Sequence, residues 1–302
     1  MLSSSLRAFH EVVQCGSIRK ASDKMGLAPS SVSRRVAMLE RQIGTQLLER
    51  GATGITLTHA GRLVADFAGP AILNYDALCN DLNDLRGSRR QLIRVCTTAS
   101  VAYMQPGETI ARFRGKFDTV TFRFSSLTTE ESIRVIKAGS YDIGISLRTA
   151  PDPEIEVVAR IPEPTVLVVR RDHPLAGRTQ VTLDEVAALP LAMLDDQYAI
   201  RRDFDLECRN SGLSSNILVE STTLLMLTDF VRSGLGATLM PQRTVTDPSL
   251  VSIPVDREVF RGNTIDLIVL RNRRLPRMVR LFLQALSDDM ARSAREAVLA
   301  VA

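Results

Sequence analysis

The sequence predicts a multidomain chain that is α first and α/β after: a winged helix-turn-helix, a long linker helix, and a C-terminal two-lobed α/β domain. Three observations carry this. The basic excess is confined to the first 57 residues, apolar residues then recur at helical spacing for nearly thirty positions, and from residue 91 strands alternate with helices. At 302 residues the chain exceeds the length at which single cores stop growing. The expected divisions are 1–58, 59–88 and 89–302, the last with one lobe over 91–161 and 268–302 and a second over 162–267.

Hydrophobic residues make up 45% and charged residues 24%, ordinary for a folded chain and far from the composition of a disordered one. The net charge of +4 is unevenly placed. Residues 1–57 hold eight Arg and Lys against four acids, which leaves thirty of each sign in 58–302. A polyanion should therefore meet the N-terminal end. No apolar signal region opens the chain and no window approaches the ~20 apolar residues of a membrane span, so a cytoplasmic protein with no membrane partner is expected.

In the head, Leu6, Phe9, Val12 and Val13 form a helical stripe ending at Gly16, and Ser17 can cap a second helix that buries Ile18, Ala21 and Met25 up to Gly26. Pro29 then opens a third helix. There Val32, Val36 and Leu39 face one way while Ser30, Arg34 and Arg41 face the other, with Ser31, Ser33 and Arg35 on the flanks. Short hydroxyls and guanidiniums on one face suit a major groove, where Arg bonds bidentately to guanine or phosphate. Two short strands, Leu47 to Arg50 and Ile55 to Leu57, make a hairpin or wing from which Arg50 could reach phosphate. The candidate DNA contacts are Ser17, Arg19, Ser30, Ser31, Ser33, Arg34, Arg35 and Arg50.

From Thr58 as cap, Leu63, Phe67, Ala71, Tyr75, Leu78, Leu82 and Leu85 make one apolar stripe up to Gly87. Such a helix outruns the head it follows, so a partner helix is its expected cover. Pro70 inside it predicts a bend near Asp66 to Pro70.

Three strands are expected in the first lobe, Gln91 to Thr97, Thr119 to Phe124 and Tyr141 to Leu147, with a capping box at Thr128 and Glu131 before a helix closed by Gly139. The second lobe is expected from Pro162 through the strand Val166 to Arg170, the turn His173 to Ala176, Val219 to Thr222 and the Gly234-Leu235-Gly236 turn. Ile265 to Leu270 returns the chain to the first lobe, and a last helix follows Pro276. Ligands of open α/β sheets bind beyond the carboxyl ends of strands, where helix N-termini point. Thr98, Ser100, Thr128, Thr129 and Arg148 lie at such ends.

The run Gly16-Ser17-Ile18, Ala21-Ser22, Val32-Ser33-Arg34, Leu39-Glu40, Ile43-Gly44, Leu47-Leu48-Glu49-Arg50 and Leu57-Thr58-x-Ala60-Gly61 resembles the signature of LysR-type transcription regulators. Two departures stand out. Ser22 replaces the second alanine of the usual pair, and Pro29 sits where the family often places a base-contacting glutamine. Asp142-Ile143-Gly144-Ile145, His173-Pro174-Leu175-Ala176 and Gly234-Leu235-Gly236 look like the LysR-type effector domain, similar in fold to periplasmic binding proteins. The resemblance implies a sequence-specific DNA-binding regulator modulated by a small-molecule effector. It also implies linker helices paired in a homodimer, assembly to a homotetramer, an interrupted palindromic operator in double-stranded DNA, contact with RNA polymerase, and association with the nucleoid when bound.

Carrying the family's cleft onto this chain points to Thr98, Ser100, Thr128, Thr129, Arg148, Tyr198, Ser221 and Thr222 as ligand contacts. Arg148, Arg201 or Arg202 would be counter-charge for a carboxylate or other anionic metabolite. His10, His59 and His173 share no spacing for a metal or a catalytic triad, so no catalytic residue, metal or cofactor is expected and the chain reads as a non-enzyme. The Gly234-x-Gly236 pair lacks a dinucleotide fingerprint. Cys15, Cys79, Cys96 and Cys208 are read as small hydrophobes. Some LysR-type regulators sense peroxide through a cysteine pair in the second lobe, but that region holds only Cys208, so a redox switch is not expected.

Overall fold

The apolar stripes of the head do pack on one another. The computed structural model describes residues 3–51, 54–85, 91–98 and 106–299. It divides into two units, Met1–Arg89 with Asn272–Arg277, and Arg90–Arg271 with Met278–Ala302. In the first unit α1 (Ser4–Cys15), α2 (Ile18–Met25) and α3 (Pro29–Ile43) enclose Phe9, Val12, Ala21, Val32, Val36, Leu39 and Leu47. Ile18 and Met25 pack at the edge of that core rather than inside it. Each helix ends on a glycine with positive φ, the conformation that side-chain-bearing residues avoid. The wing strands β1 (Leu48–Gly51) and β2 (Gly54–Leu57) pair antiparallel, with Leu48 opposite Leu57.

Helix α4 (His59–Leu85) contains Pro70 and is apolar on two faces. Ala68 and Ile72 are buried, and Val64 and Ala65 pack on the head core. The expected stripe lies elsewhere: Leu63 is 61% and Phe67 66% exposed, and Leu78 and Leu82 are exposed as well. Arg7 of α1 forks onto the carboxylate of Asp76 and lies over the Tyr75 ring, which ties α1 to α4.

The second unit holds two five-stranded sheets. The first runs β4-β3-β5-β12-β6, from β3 (Gln91–Thr97), β4 (Val120–Ser126), β5 (Ile143–Leu147), β6 (Ile155–Pro162) and β12 (Thr264–Leu270). The second runs β11-β7-β10-β8-β9, from β7 (Thr165–Arg170), β8 (Pro190–Leu194), β9 (Asn216–Ser221), β10 (Ala237–Pro241) and β11 (Leu250–Pro254). In the first sheet β4, β3 and β5 pair parallel and β12 and β6 add on through antiparallel pairings; in the second β9, β8 and β10 pair parallel and β7 and β11 add on through antiparallel pairings. Helices α5 (Pro106–Arg114), α6 (Thr129–Lys137) and α11 (Arg277–Leu299) belong to the first lobe's strand order, and α7 (Leu183–Ala187), α8 (Ala199–Asn210), α9 (Leu224–Arg232) and α10 (Glu258–Arg261) to the second's. Phe113, Phe122 and Phe282 stack in the first lobe, with ring centroids 4.6 to 6.1 Å apart.

The chain crosses between sheets twice. It leaves at Glu163, whose N–H donates to Asn263 O at 2.8 Å, and β12 is already in the first sheet from Thr264. This returning strand begins one residue before the expected Ile265. Glu163 is fully buried and its carboxylate meets Arg243, whose backbone N–H and Nε both lie 2.8 Å away. Burial pushes that carboxyl above the usual range. Gly236 has a packing role, since a Cβ there would sit 2.0 Å from Pro190 O. Gly234 has φ of 76°, so both glycines of the pair answer to local backbone geometry.

Candidate functional site

Two regions collect the residues singled out in the sequence. On the head, Arg19, Ser30 and Arg34 are exposed, and Ser17, Ser31, Ser33 and Arg35 are half-buried. Ser17 Oγ accepts the Lys20 N–H and so serves as the cap of α2. The cations of the head fall into two groups. Arg7 and Lys24 are held by Asp76 and Glu11, whereas among the described residues Arg19, Arg34 and Arg35 have no carboxylate partner. These guanidiniums, Arg19 on α2 and Arg34 and Arg35 on α3, are available to phosphate or guanine. The side chain of Arg50 and the whole of Ser100 lie outside the described residues.

In the second unit a cleft with about 360 Å³ of empty space, counting its open mouth, lies between the two sheets. The first lobe lines it with Thr98, Thr128, Thr129, Glu130 and Leu147, and the second with Leu194, Gln197, Tyr198, Ala199 and Ile200. Two helix N-termini face it. α6 is closed by its capping box, in which Thr128 Oγ1 accepts the Glu131 N–H and the Glu131 carboxylate accepts the Thr128 N–H. α8 begins after Tyr198 with no side-chain cap. Its first N–H groups and partial positive charge thus open toward the cleft.

Several of the expected ligand groups are already engaged. Thr129 Oγ1 donates to Leu147 O at 3.1 Å and the Tyr198 hydroxyl to Thr222 O at 3.1 Å. Ser221 Oγ accepts the Thr223 N–H. Burial, with Asp195 and Glu131 nearby, holds the Tyr198 phenol above its ordinary pKa. Neither Arg148 nor Arg202 lines the cleft. Arg148 Nη2 lies 2.8 Å from Asp203 Oδ1 and Arg202 Nη2 lies 2.6 Å from Glu130 Oε1, both pairs joining one lobe to the other. Arg201 is taken by Asp205 and Glu220. Arg148 also has φ of 44°, a left-handed conformation that is costly for a non-glycine residue. Its N–H donates to Thr264 O at 2.7 Å, and the next N–H, of Thr149, to the buried Asp266 carboxylate at 2.7 Å.

Family comparison agrees with both regions. Residues 3–62 match the family described as bacterial regulatory helix-turn-helix protein, lysR family, and residues 86–291 match the LysR substrate binding domain. The chain belongs to the LysR family. It is 31% identical over 247 residues to a protein named probable hydrogen peroxide-inducible genes activator from Mycobacterium leprae, covering 79% of this chain and 77% of that one. Among solved structures it shares its fold with a full-length OxyR variant from Pseudomonas aeruginosa (TM-score 0.68, 17% identity, 96% and 94% of the two chains). A second such structure is full-length CbnR complexed with target DNA (TM-score 0.52, 18% identity, 96% and 100%). This LysR-family chain is accordingly a DNA-binding transcription regulator with an effector-binding domain.

Among the described residues of this regulator no helix is long and apolar enough to cross a membrane, and no group of three His, Cys, Asp or Glu could hold a metal. The sequence reading named four of the ten residues of the cleft wall, Thr98, Thr128, Thr129 and Tyr198. On the second lobe Leu194, Gln197, Ala199 and Ile200 flank the single residue it named there, Tyr198. Leu194 ends β8 and the others follow it, and the strand-end rule applied to β8, a strand that the reading did not assign, would have found them.

Proposed function

We propose that this regulator reads an interrupted palindromic operator as a homodimer paired along α4, and that two dimers form the homotetramer. In this reading an effector with a carboxylate or other anionic group binds between the lobes, and the bound protein can contact RNA polymerase. Its place of action is the cytoplasm, on nucleoid DNA, and no catalytic step or cofactor enters. What carries the effector reading is the meeting of the α6 and α8 N-termini at one cleft, α8 without a side-chain cap. Thr98, Thr128, Thr129, Tyr198, Ser221 and Thr222 would touch the ligand, with the Thr222 carbonyl also accepting the Tyr198 hydroxyl. An anionic effector reaches Arg148 or Arg202 by displacing Asp203 or Glu130. Ligand then shifts the population of lobe closures, and closure changes how subunits present the heads to DNA.

Calorimetry of the full chain against organic acids, amino acids and neutral analogues tests the ligand class, with heat expected only from the acids. A preference for the neutral analogues overturns it. The M. leprae relative's name favours a second reading, thiol oxidation by peroxide. The nucleophile in that chemistry is the thiolate. Here Cys96 and Cys208 are buried, and burial pushes the Cys96 thiol to about 11 and the Cys208 thiol above its ordinary value. A promoter footprint altered by peroxide and restored by a thiol reductant would favour that second reading over the first.

A further inference from the structure

The turn that joins the reading helix to the wing is gripped from both sides. On one side is Glu40, in the last turn of α3, half-buried and off the outward face that carries Ser30 and Arg34. Its Oε1 accepts two successive backbone N–H groups, Leu47 at 2.9 Å and Leu48 at 3.2 Å. On the other side is the start of α4. Thr58 N–H donates to Leu47 O at 3.1 Å, and Thr58 Oγ1 donates to Gln46 O at 2.8 Å while accepting the Gly61 N–H at 2.8 Å. Gly61 leaves no slack, because a Cβ there would lie 2.0 Å from Leu47 O. Leu47 and Leu48 thus give their N–H groups to Glu40 of the reading helix, and Gln46 and Leu47 give their carbonyls to Thr58 at the head of the linker helix.

We infer that Glu40 is a positioning residue for sequence reading: its carboxylate fixes the wing and the first turn of α4 against the recognition helix, and it makes no DNA contact itself. A carboxylate on two N–H groups is a stiff, charge-assisted link, and the helix it extends from bears the candidate base contacts. Base contacts must all be met in one geometry, whereas phosphate contacts tolerate displacement and hold any sequence. Loosening this joint should therefore cost operator binding far more than general DNA binding.

The test uses the full chain and an operator selected by the native protein from random duplexes, beside a scrambled duplex of the same length. Glu40→Ala should lose at least tenfold in affinity for the operator and little for the scrambled duplex, at a temperature where circular dichroism shows the variant folded. Glu40→Gln keeps an oxygen that can accept both N–H groups and should recover most of the loss. Thr58→Val, which removes the grip on Gln46, should act in the same direction and serves if Glu40→Ala fails to fold. Equal fractional losses on both duplexes, as from a merely less stable head, would overturn the inference. So would a native operator-to-scrambled ratio in both Glu40→Ala and Thr58→Val.

Discussion

Arg34 and Arg7 are arginines of one small head, but their surroundings differ. Arg7 is spent on Asp76, whose hydrogen-bonded carboxylate raises the guanidinium pKa against the opposing effect of burial and fixes its charge in a structural contact. Arg34 is exposed on α3 with no carboxylate among the described residues. If Arg34 meets phosphate or guanine, Arg34→Ala should weaken binding by about 1–3 kcal/mol for a base contact, or lower the slope of log affinity against log salt by about one for a phosphate contact. The melting temperature should stay native in either case. An Arg34→Ala variant with native affinity and native slope removes the residue from the interface. The outward direction of Arg34 was legible because 100° periodicity is local: Val32, Val36 and Leu39 are buried as their spacing requires. The partners of Arg148 and Arg202 were not legible, since Asp203 and Glu130 meet them only through tertiary packing, whereas Arg201 has one partner, Asp205, four residues along its own helix.

At the scale of elements, α4 shows what a pattern can and cannot settle. Its apolar stripe was visible at helical spacing, but it is Val64 and Ala65 that pack on the head core, with Ala68 and Ile72 buried further along the helix. Which of two faces packs inward depends on the shape that α1 offers, and no local signal encodes that. The consequence favours pairing, because Leu63, Phe67, Leu78 and Leu82 are left exposed at spacings that keep them on one side. Leu63→Glu with Phe67→Glu should lower the mass in sedimentation to that of a smaller assembly without changing the head's circular dichroism, as neither side chain serves the head core. Operator affinity should fall by roughly a hundredfold or more, because two linked heads bind with high effective concentration and single heads do not. An unchanged mass would place the subunit seam elsewhere. The capping box at Thr128 and Glu131 was fully legible, and a second one at Thr182 and Glu185 follows the same pattern.

Across the whole effector domain, alternation of strands and helices announced two α/β lobes, but not that each sheet is finished by antiparallel strands, because pairing partners such as β12 and β6 lie a hundred residues apart in sequence. The same long-range packing sets two charge pairs between the lobes, with the sign reversed from one to the other. The first lobe contributes Arg148 and Glu130, and the second Asp203 and Arg202. Both arginines are over a third exposed, and exposed ion pairs are worth about 0–1 kcal/mol each. The two together can change the ratio of closed to open lobes by about tenfold, since 1.4 kcal/mol is one decade. A latch of that size is weak enough for a bound ligand to override and strong enough to set the resting state. Asp203→Asn combined with Glu130→Gln should shift the distribution of distances between dyes on the two lobes toward the open form at low salt. In 1 M salt, where screening acts within about 3 Å, the native chain should move toward the same distribution. If variant and native chains give one distribution at both salt concentrations, the pairs do not govern closure, and the hinge at Glu163 and Asn263, with its buried Arg243 pair, must hold the resting state alone.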